Sequence, residues 1–154
     1  MNAALQYFDD FPVGERRELG SHPVTEEEIL RFAREYDPQP FHVDPAAAAA
    51  SMFGGLIASG WHTCAMTMRV LCDGFLLSAA SIGSPGVDVL RWKRPVRPGD
   101  TLRVFATVVE ARPSASKPDR GILLNDIEVR NQHDEIVLTM QAMTMMYRRL
   151  GGAP

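Results

Sequence analysis

The 154-residue chain has little of three things: cysteine, clustered positive charge and long apolar runs. Its two cysteines, Cys64 and Cys72, would lie about 12 Å apart on one helix, which is beyond disulfide reach. We therefore expect a reducing, cytoplasmic location. The net charge is −3 and the pI is about 5.8, which gives the chain no basic field. Nucleic acid is therefore not an expected partner.

Insertion into a membrane and secretion are not expected either. The longest weakly apolar stretch, residues 46–61, is mostly Ala, Gly and Ser, and the next one is interrupted by Arg69 and Asp73. Neither stretch is typical of a membrane span. Residues 1–10 have no basic region followed by an apolar run, so we expect no secretion signal. The length and the 45% hydrophobic content predict one soluble globular domain over residues 1–154.

The first half of the chain predicts helices. Thr25 and Glu28 form the pattern of a capping box, and Pro38 is expected to end the helix that they begin. Pro38 and Pro40, at alternate positions, are expected to hold the residues that follow in an extended conformation. From Leu56 to about Leu77 the residues are apolar almost all round, which predicts one long buried helix. Ser59 and Gly60 stand where this helix is expected to begin.

The second half of the chain predicts strands. After a short strand that precedes the first helix, four more are expected near residues 87–92, 101–110, 121–130 and 136–147, separated by turn signals. We expect these four to form a meander. The predicted fold class is therefore α+β, with an antiparallel sheet wrapped around one long buried helix. The open edges of such a sheet predict that two copies pair.

One segment stands out for its chemistry, residues 37–44, which read Asp-Pro-Gln-Pro-Phe-His-Val-Asp. A carboxylate at Asp37 and an imidazole at His42 can be aimed at one point, as acid–base chemistry on a small molecule requires. Taken singly, Asp37 could simply end the helix, and His42 could be a histidine of the core. Asp44 is expected to cap the alanine-rich turn after it rather than to react.

A second motif, Phe-Gly-Gly-Leu-Ile-Ala-Ser-Gly, follows at residues 53–60. Together the two motifs resemble the MaoC-like dehydratases, the (R)-specific enoyl-CoA hydratase group with a hotdog fold. That family's signature is Asp-x-Asn-Pro-x-His-x-Asp, followed by Phe-Gly-x-x-Ile-Ala-His-Gly. The matching positions are Asp37, Pro40, His42, Asp44, Phe53, Gly54, Ile57, Ala58 and Gly60. Residues 92–100 are similar to the family's Pro-Val-x-x-Gly-Asp turn, so the resemblance covers nearly the whole chain and implies a single hotdog domain.

The resemblance implies a lyase of fatty acid metabolism that interconverts a trans-2-enoyl-CoA and an (R)-3-hydroxyacyl-CoA. Asp37 and His42 would be the catalytic pair. The backbone N–H of Gly60, at the start of the buried helix, would stabilise negative charge on the thioester oxygen. The residues expected to contact or shape the substrate site are Ser59, Gln39, Trp61 and Phe53.

The implied partner is an acyl thioester of coenzyme A or of acyl carrier protein. Coenzyme A then enters as part of the substrate, so no separate cofactor and no metal are expected. The implied assembly is a homodimer, or a larger homo-oligomer of dimers.

The sequence also allows two alternatives to the hydratase and disfavours a third. Other hotdog proteins hydrolyse acyl-CoA, which leaves an acyl-CoA thioesterase open. A non-catalytic acyl-CoA binding protein is also conceivable, because Gln39 and Ser59 stand where the family motif has Asn and His. An iron site made of His42, Asp44 and a later histidine is disfavoured, because His62 lies in the predicted buried helix.

Overall fold

The computed structural model describes residues 4–149 and shows an antiparallel sheet that curves around one central helix. The helices are α1 (Glu26–Tyr36), α2 (Pro40–Val43), α3 (Pro45–Ala50) and α4 (Gly60–Gly74). The strands are β1 (Arg16–Pro23), β2 (Ser81–Gly83), β3 (Val87–Trp92), β4 (Thr101–Pro113), β5 (Arg120–Arg130) and β6 (Ile136–Tyr147). Short 3-10 turns lie at Phe8–Asp10 and Leu76–Ser78. The predicted α+β class is confirmed.

The strand order is β1-β4-β5-β6-β2, and β3 also pairs with β6. The predicted four-strand meander is therefore wrong for β3, which lies beside β6 rather than beside β4. After Trp92 the chain leaves the sheet edge, since Pro95 and Pro98 cannot donate ladder hydrogen bonds. Residues 93–100 instead cross the end of the sheet, where the Val96 carbonyl accepts from the N–H of Ala58 at 2.8 Å.

Helix α1 begins and ends as predicted. Thr25 is its N-cap, with its hydroxyl oxygen accepting from the N–H of Glu28 at 3.2 Å. Ile29 and Ala33 are fully buried against the sheet side of the molecule. The helix ends at Tyr36, which leaves Asp37 as its C-cap.

The residues after Pro38 are not held extended, as predicted, but form the single helical turn α2. Pro40 is its first residue, a position that needs no N–H donor and suits the fixed φ of proline. Asp44 then caps α3, as predicted, by accepting from the N–H groups of Ala46 and Ala47 at 2.9 and 3.2 Å. The turn α2, rather than a stiff extended segment, therefore sets the direction in which His42 points.

The central helix α4 spans 15 residues; it begins at Gly60 with Ser59 as its N-cap, as predicted, and ends at Gly74 rather than near Leu77. Residues 56–58 are buried but not helical, because their backbone groups bond to α2 and to the crossing segment 93–100. One face of α4, including Met66 and Val70, packs into the core, where β1 and β4 are the strands nearest to the helix. Its other face is not buried as predicted, because Trp61 and Met68 are exposed beside the edge strand β3.

No helix within residues 4–149 combines the length and the apolar character needed to cross a membrane.

Candidate active site

Asp37 and His42, the predicted pair, lie next to each other at the meeting point of α1, α2 and α4. The His42 Nε2 atom is 3.4 Å from Asp37 Oδ2. His42 is 5% exposed, and the side chain of Asp37 is 18% exposed. One end of the pair is therefore buried, and the other is open to water.

The hydrogen bond on the far side of the His42 ring determines its tautomer. Nδ1 lies 2.8 Å from the carbonyl oxygen of Ile57, and a carbonyl can only accept, so Nδ1 carries the proton. In the neutral ring, Nε2 then presents a lone pair towards Asp37. Two acceptors 3.4 Å apart cannot bond to each other, but they can both accept from one water molecule that bridges them from the side.

The Asp37 carboxylate is held by two further residues that the motif predicted for the site. Ser59 Oγ donates to Oδ2 and Gln39 Nε2 donates to Oδ1, both at 2.7 Å. Partial burial by itself raises the pKa of Asp37, but these hydrogen bonds and the nearby His42 outweigh it and hold the pKa below its usual value. The carboxylate is therefore ionised near neutral pH.

Gly60 opens α4, and its N–H is bonded to no acceptor within residues 4–149. The space beside its Cα is filled by Trp92, whose Nε1 donates to the Gly60 carbonyl at 2.9 Å. A Cβ at this position would lie 2.5 Å from Trp92 Cε2. Glycine is thus required here by the indole of Trp92, which sequence reasoning had not connected with the site.

A cleft of about 310 Å³ lies against this pair and the start of α4. Its walls are formed by Phe41, His42, Phe53, Ile57, Ala58, Gly60, Thr63, Trp92, Lys93, Arg94, Pro95 and Val96. Asp37 touches His42 beside the cleft but is not part of its walls. The cleft is mostly apolar, with a few polar groups that include His42 and the backbone of Gly60, as suits a largely apolar small molecule.

The predicted substrate residues divide into two groups. Phe53 lines the cleft, and Gln39 and Ser59 contact the pair. Trp61 does not line the cleft; it is 60% exposed and meets Trp92 edge-on at 5.3 Å between ring centroids. Any effect of Trp61 on the cleft therefore passes through Trp92.

Sequence reasoning missed Trp92 and Thr63 as wall residues. Trp92 belongs to β3 and reaches Gly60 only through the pairing of β3 with β6 at the sheet edge. Of the two basic wall residues, Arg94 is paired with Glu135 at 3.0 Å, whereas Lys93 has no ion-pair partner within residues 4–149. Among residues 4–149, no group of three or more His, Cys, Asp or Glu side chains is arranged so that it could hold a metal ion.

Comparison with known proteins gives one consistent result. Residues 10–130 match the family model described as "MaoC like domain". An (R)-specific enoyl-CoA hydratase from Rhodospirillum rubrum is 30% identical over 116 residues, which cover 71% of this chain and 74% of that protein.

Solved structures agree with the family match. A MaoC-like dehydratase from Rhodospirillum rubrum superposes with a TM-score of 0.87 at 45% identity, covering 93% of this chain and 97% of that one. The protein Rv0216 from Mycobacterium tuberculosis, described as a double hotdog fold, superposes with a TM-score of 0.77 at 20% identity. That match covers 97% of this chain and 46% of Rv0216, and it bears on the fold alone. The fold is thus a hotdog, and the chain belongs to the MaoC-like dehydratase family.

Proposed function

We propose that this protein is a hydro-lyase that adds water to a trans-2-enoyl-CoA to give an (R)-3-hydroxyacyl-CoA, and that it runs the reaction in reverse as a dehydratase. One observation carries the proposal: two acceptors, Asp37 Oδ2 and His42 Nε2, lie 3.4 Å apart beside an apolar cleft. The hydratase and dehydratase names of similar proteins support the same reaction type.

The pair has the right geometry to orient and activate one water molecule. A water that donates one hydrogen to Asp37 and the other to His42 turns its lone pairs away from the pair, towards a substrate in the cleft. An imidazole is generally a stronger base than a carboxylate, and the pKa of Asp37 is held low, so we assign the transferred proton to His42. The hydroxyl then adds to C3, and the proton held on Nε2 is returned to C2, so that all atoms of the water are accounted for.

Addition at C3 pushes negative charge onto the thioester oxygen, which needs a hydrogen-bond donor. The N–H of Gly60 is suited to this role, because it is unpaired within the described residues and sits at the positive end of α4. Loss of such a donor typically costs about 3–4 kcal/mol of activation free energy.

The substrate site also supports an acyl thioester by its shape. Phe41, Phe53 and Val96 offer an apolar wall for an acyl chain, and Lys93 offers a positive charge at the rim for a phosphate-bearing carrier. Coenzyme A and acyl carrier protein share that carrier chemistry, so either thioester fits this proposal.

Purified protein mixed with crotonyl-CoA tests the reaction, with enoyl absorbance and free thiol followed in parallel. We expect loss of absorbance without release of thiol. Release of thiol would instead make the protein a thioesterase. The protein would instead be a binding protein if neither absorbance nor thiol changes with short, long and branched acyl chains, while acyl-CoA quenches the fluorescence of Trp92 or Trp61.

We further propose that two copies pair through the edge formed by β3 and the exposed face of α4. The exposed apolar side chains of β3 and α4 are Trp61, Met68, Val87, Val89 and Trp92. An exposed apolar sheet edge is a template for pairing with another copy. The cleft opens beside Trp92, so the proposed interface borders the substrate site.

A further inference from the structure

A second cluster of ionisable side chains lies outside the proposed active site, between α1, α4 and β1. His22 Nε2 and His62 Nε2 both approach the same oxygen of Glu28, Oε1, at 2.8 and 3.3 Å. Glu28 is positioned in turn by Thr25, which accepts from its N–H and donates to its other carboxylate oxygen. We call these three residues the His22–Glu28–His62 cluster.

His62 is the member of the cluster that reaches across to α4. It is 5% exposed, and its ring stacks face to face on Phe32 of α1, with centroids 4.7 Å apart and ring planes 12° from parallel. Its Nδ1 atom is buried and has no hydrogen-bond partner within the described residues. The polar contact of the ring is with Glu28, and its stacking partner is Phe32. Both residues belong to α1, so α1 orients the ring.

The position of the cluster connects the two helices that carry the proposed reaction. Helix α1 ends at Tyr36 with Asp37 as its C-cap, and α4 begins at Gly60, two residues before His62. The hydroxyl of Ser59, at the start of α4, donates to Asp37 at the end of α1. A second contact between the helices joins His62 to Glu28. Glu28 lies nine residues before Asp37, which is about 13 Å along the axis of α1. With two attachment points, α1 cannot pivot about Asp37 relative to the start of α4.

We propose that Glu28, Phe32 and His62 are positioning residues for the hydration reaction: they fix the N-terminus of α4, and with it the Gly60 N–H, relative to Asp37. The inference rests on the proposed function, since it assigns the cluster a part in that reaction. None of the three residues lines the substrate cleft, so they act on the rate through geometry and not through contact with the substrate.

Kinetics with crotonyl-CoA test this role through His62→Ala, which removes both the stacking and the contact with Glu28. A displacement near 1 Å at a reacting centre can cost up to about 100-fold in rate, so we expect kcat to fall by about 10- to 100-fold with little change in KM. His62→Gln keeps an N–H donor of similar reach and should recover most of the loss. Val70→Ala, a buried truncation two turns further along α4, is the matched control and should leave kcat unchanged.

Two kinetic outcomes would overturn the proposal. One is a His62→Ala enzyme with the kcat of the wild type. The other is an equal fall in kcat for Val70→Ala, which would show that any loss of packing along α4 has the same effect.

A second measurement judges the cluster without relying on activity. In native-state hydrogen exchange, the amides of Trp61 and Thr63, which bond to Ser59, should exchange faster in His62→Ala than in the wild type or in Val70→Ala. Unchanged exchange at both amides would refute the positioning role. If the wild type does not hydrate crotonyl-CoA, the proposed function fails, and this exchange result still decides whether the cluster holds α4.

Discussion

At the scale of single residues, the state of Asp37 depends on the two donors that reach its carboxylate. Ser59 and Gln39 each donate at 2.7 Å, and hydrogen bonds of this kind favour the ionised form. The family motif has His and Asn at these positions, yet both replacements here still contact Asp37. The departures from the motif therefore preserve a hydrogen-bonded carboxylate by other means.

Ser59→Ala should raise the pKa of the Asp37 carboxyl group. The Ser59 hydroxyl donates to the ionised carboxylate, so its loss makes Asp37 easier to protonate. The measurement is an NMR titration of the Asp37 side-chain carboxyl carbon in the folded protein. Ser84→Ala, in an exposed turn outside the site, serves as the control and should keep the wild-type titration. An Asp37 pKa that is unchanged or lower in Ser59→Ala would contradict this description of the carboxylate.

Gly60→Ala should destabilise the protein because of Trp92. The added Cβ would lie 2.5 Å from the indole, and such overpacking typically costs about 1–3 kcal/mol in the free energy of unfolding. In a Trp92→Ala background the same change should be neutral or slightly stabilising, since alanine is the better helix former. Urea denaturation of the four proteins of this double-mutant cycle measures the difference. An equal cost of Gly60→Ala in both backgrounds would mean that Trp92 is not the reason for the glycine.

At the scale of elements, the contact between α1 and α4 should make stability depend on pH. Burial lowers the pKa of His62 below its usual value of about 6.5, and the nearby Glu28 carboxylate does not offset this. The unfolded chain then binds a proton at a higher pH than the folded chain does. The free energy of unfolding should therefore fall as the pH drops from about 6.5 towards the pKa of the folded state.

His62→Phe removes this titration while keeping an aromatic ring for Phe32 to stack on. Urea midpoints measured for both proteins at several pH values between 5 and 8 should show a steeper fall in acid for the wild type than for the variant. Parallel curves for the two proteins would show that His62 is not the group responsible.

The helices and strands were largely predictable because their signals are local. Thr25 and Asp44 mark helix starts through bonds to residues within three positions, and Pro38 ends α1 because it disfavours helical backbone in the residue before it. The alternation in β4 follows from one buried face. The errors arose where contacts with distant parts of the chain determine the local structure. Pro40 starts a helix instead of preventing one, and β3 pairs with β6, which is far away in sequence, rather than with the next strand β4.

The same division applies to the site. Asp37, His42, Ser59 and Gln39 were predictable, because they lie in short motifs or touch them. Trp92 and the His22–Glu28–His62 cluster were not, because their contacts depend on how β3, β1 and α1 are placed around α4. No local pattern in the sequence carries that information.

At the scale of the whole molecule, we predict that the protein in solution has twice the 17.0 kDa mass of one chain, or a multiple of that value. Val87 and Val89 are more than half exposed on β3, so the double variant Val87→Lys/Val89→Lys should disrupt pairing through charge at the edge. Light scattering after size exclusion gives both masses. A wild type that runs as a single chain, or a double variant that keeps the wild-type mass, would contradict an interface on this edge.

The central claim is that Asp37 and His42 act as one unit on a shared water molecule. The most direct test is a double-mutant cycle of crotonyl-CoA hydration with Asp37→Asn, His42→Ala and the combination of the two. General acid–base groups contribute about 100- to 10,000-fold, so each single variant should lose at least about 100-fold in kcat, and the double variant should lose little more than either one. A single variant with near-wild-type turnover, or losses that multiply in the double variant, would contradict the shared-water pair.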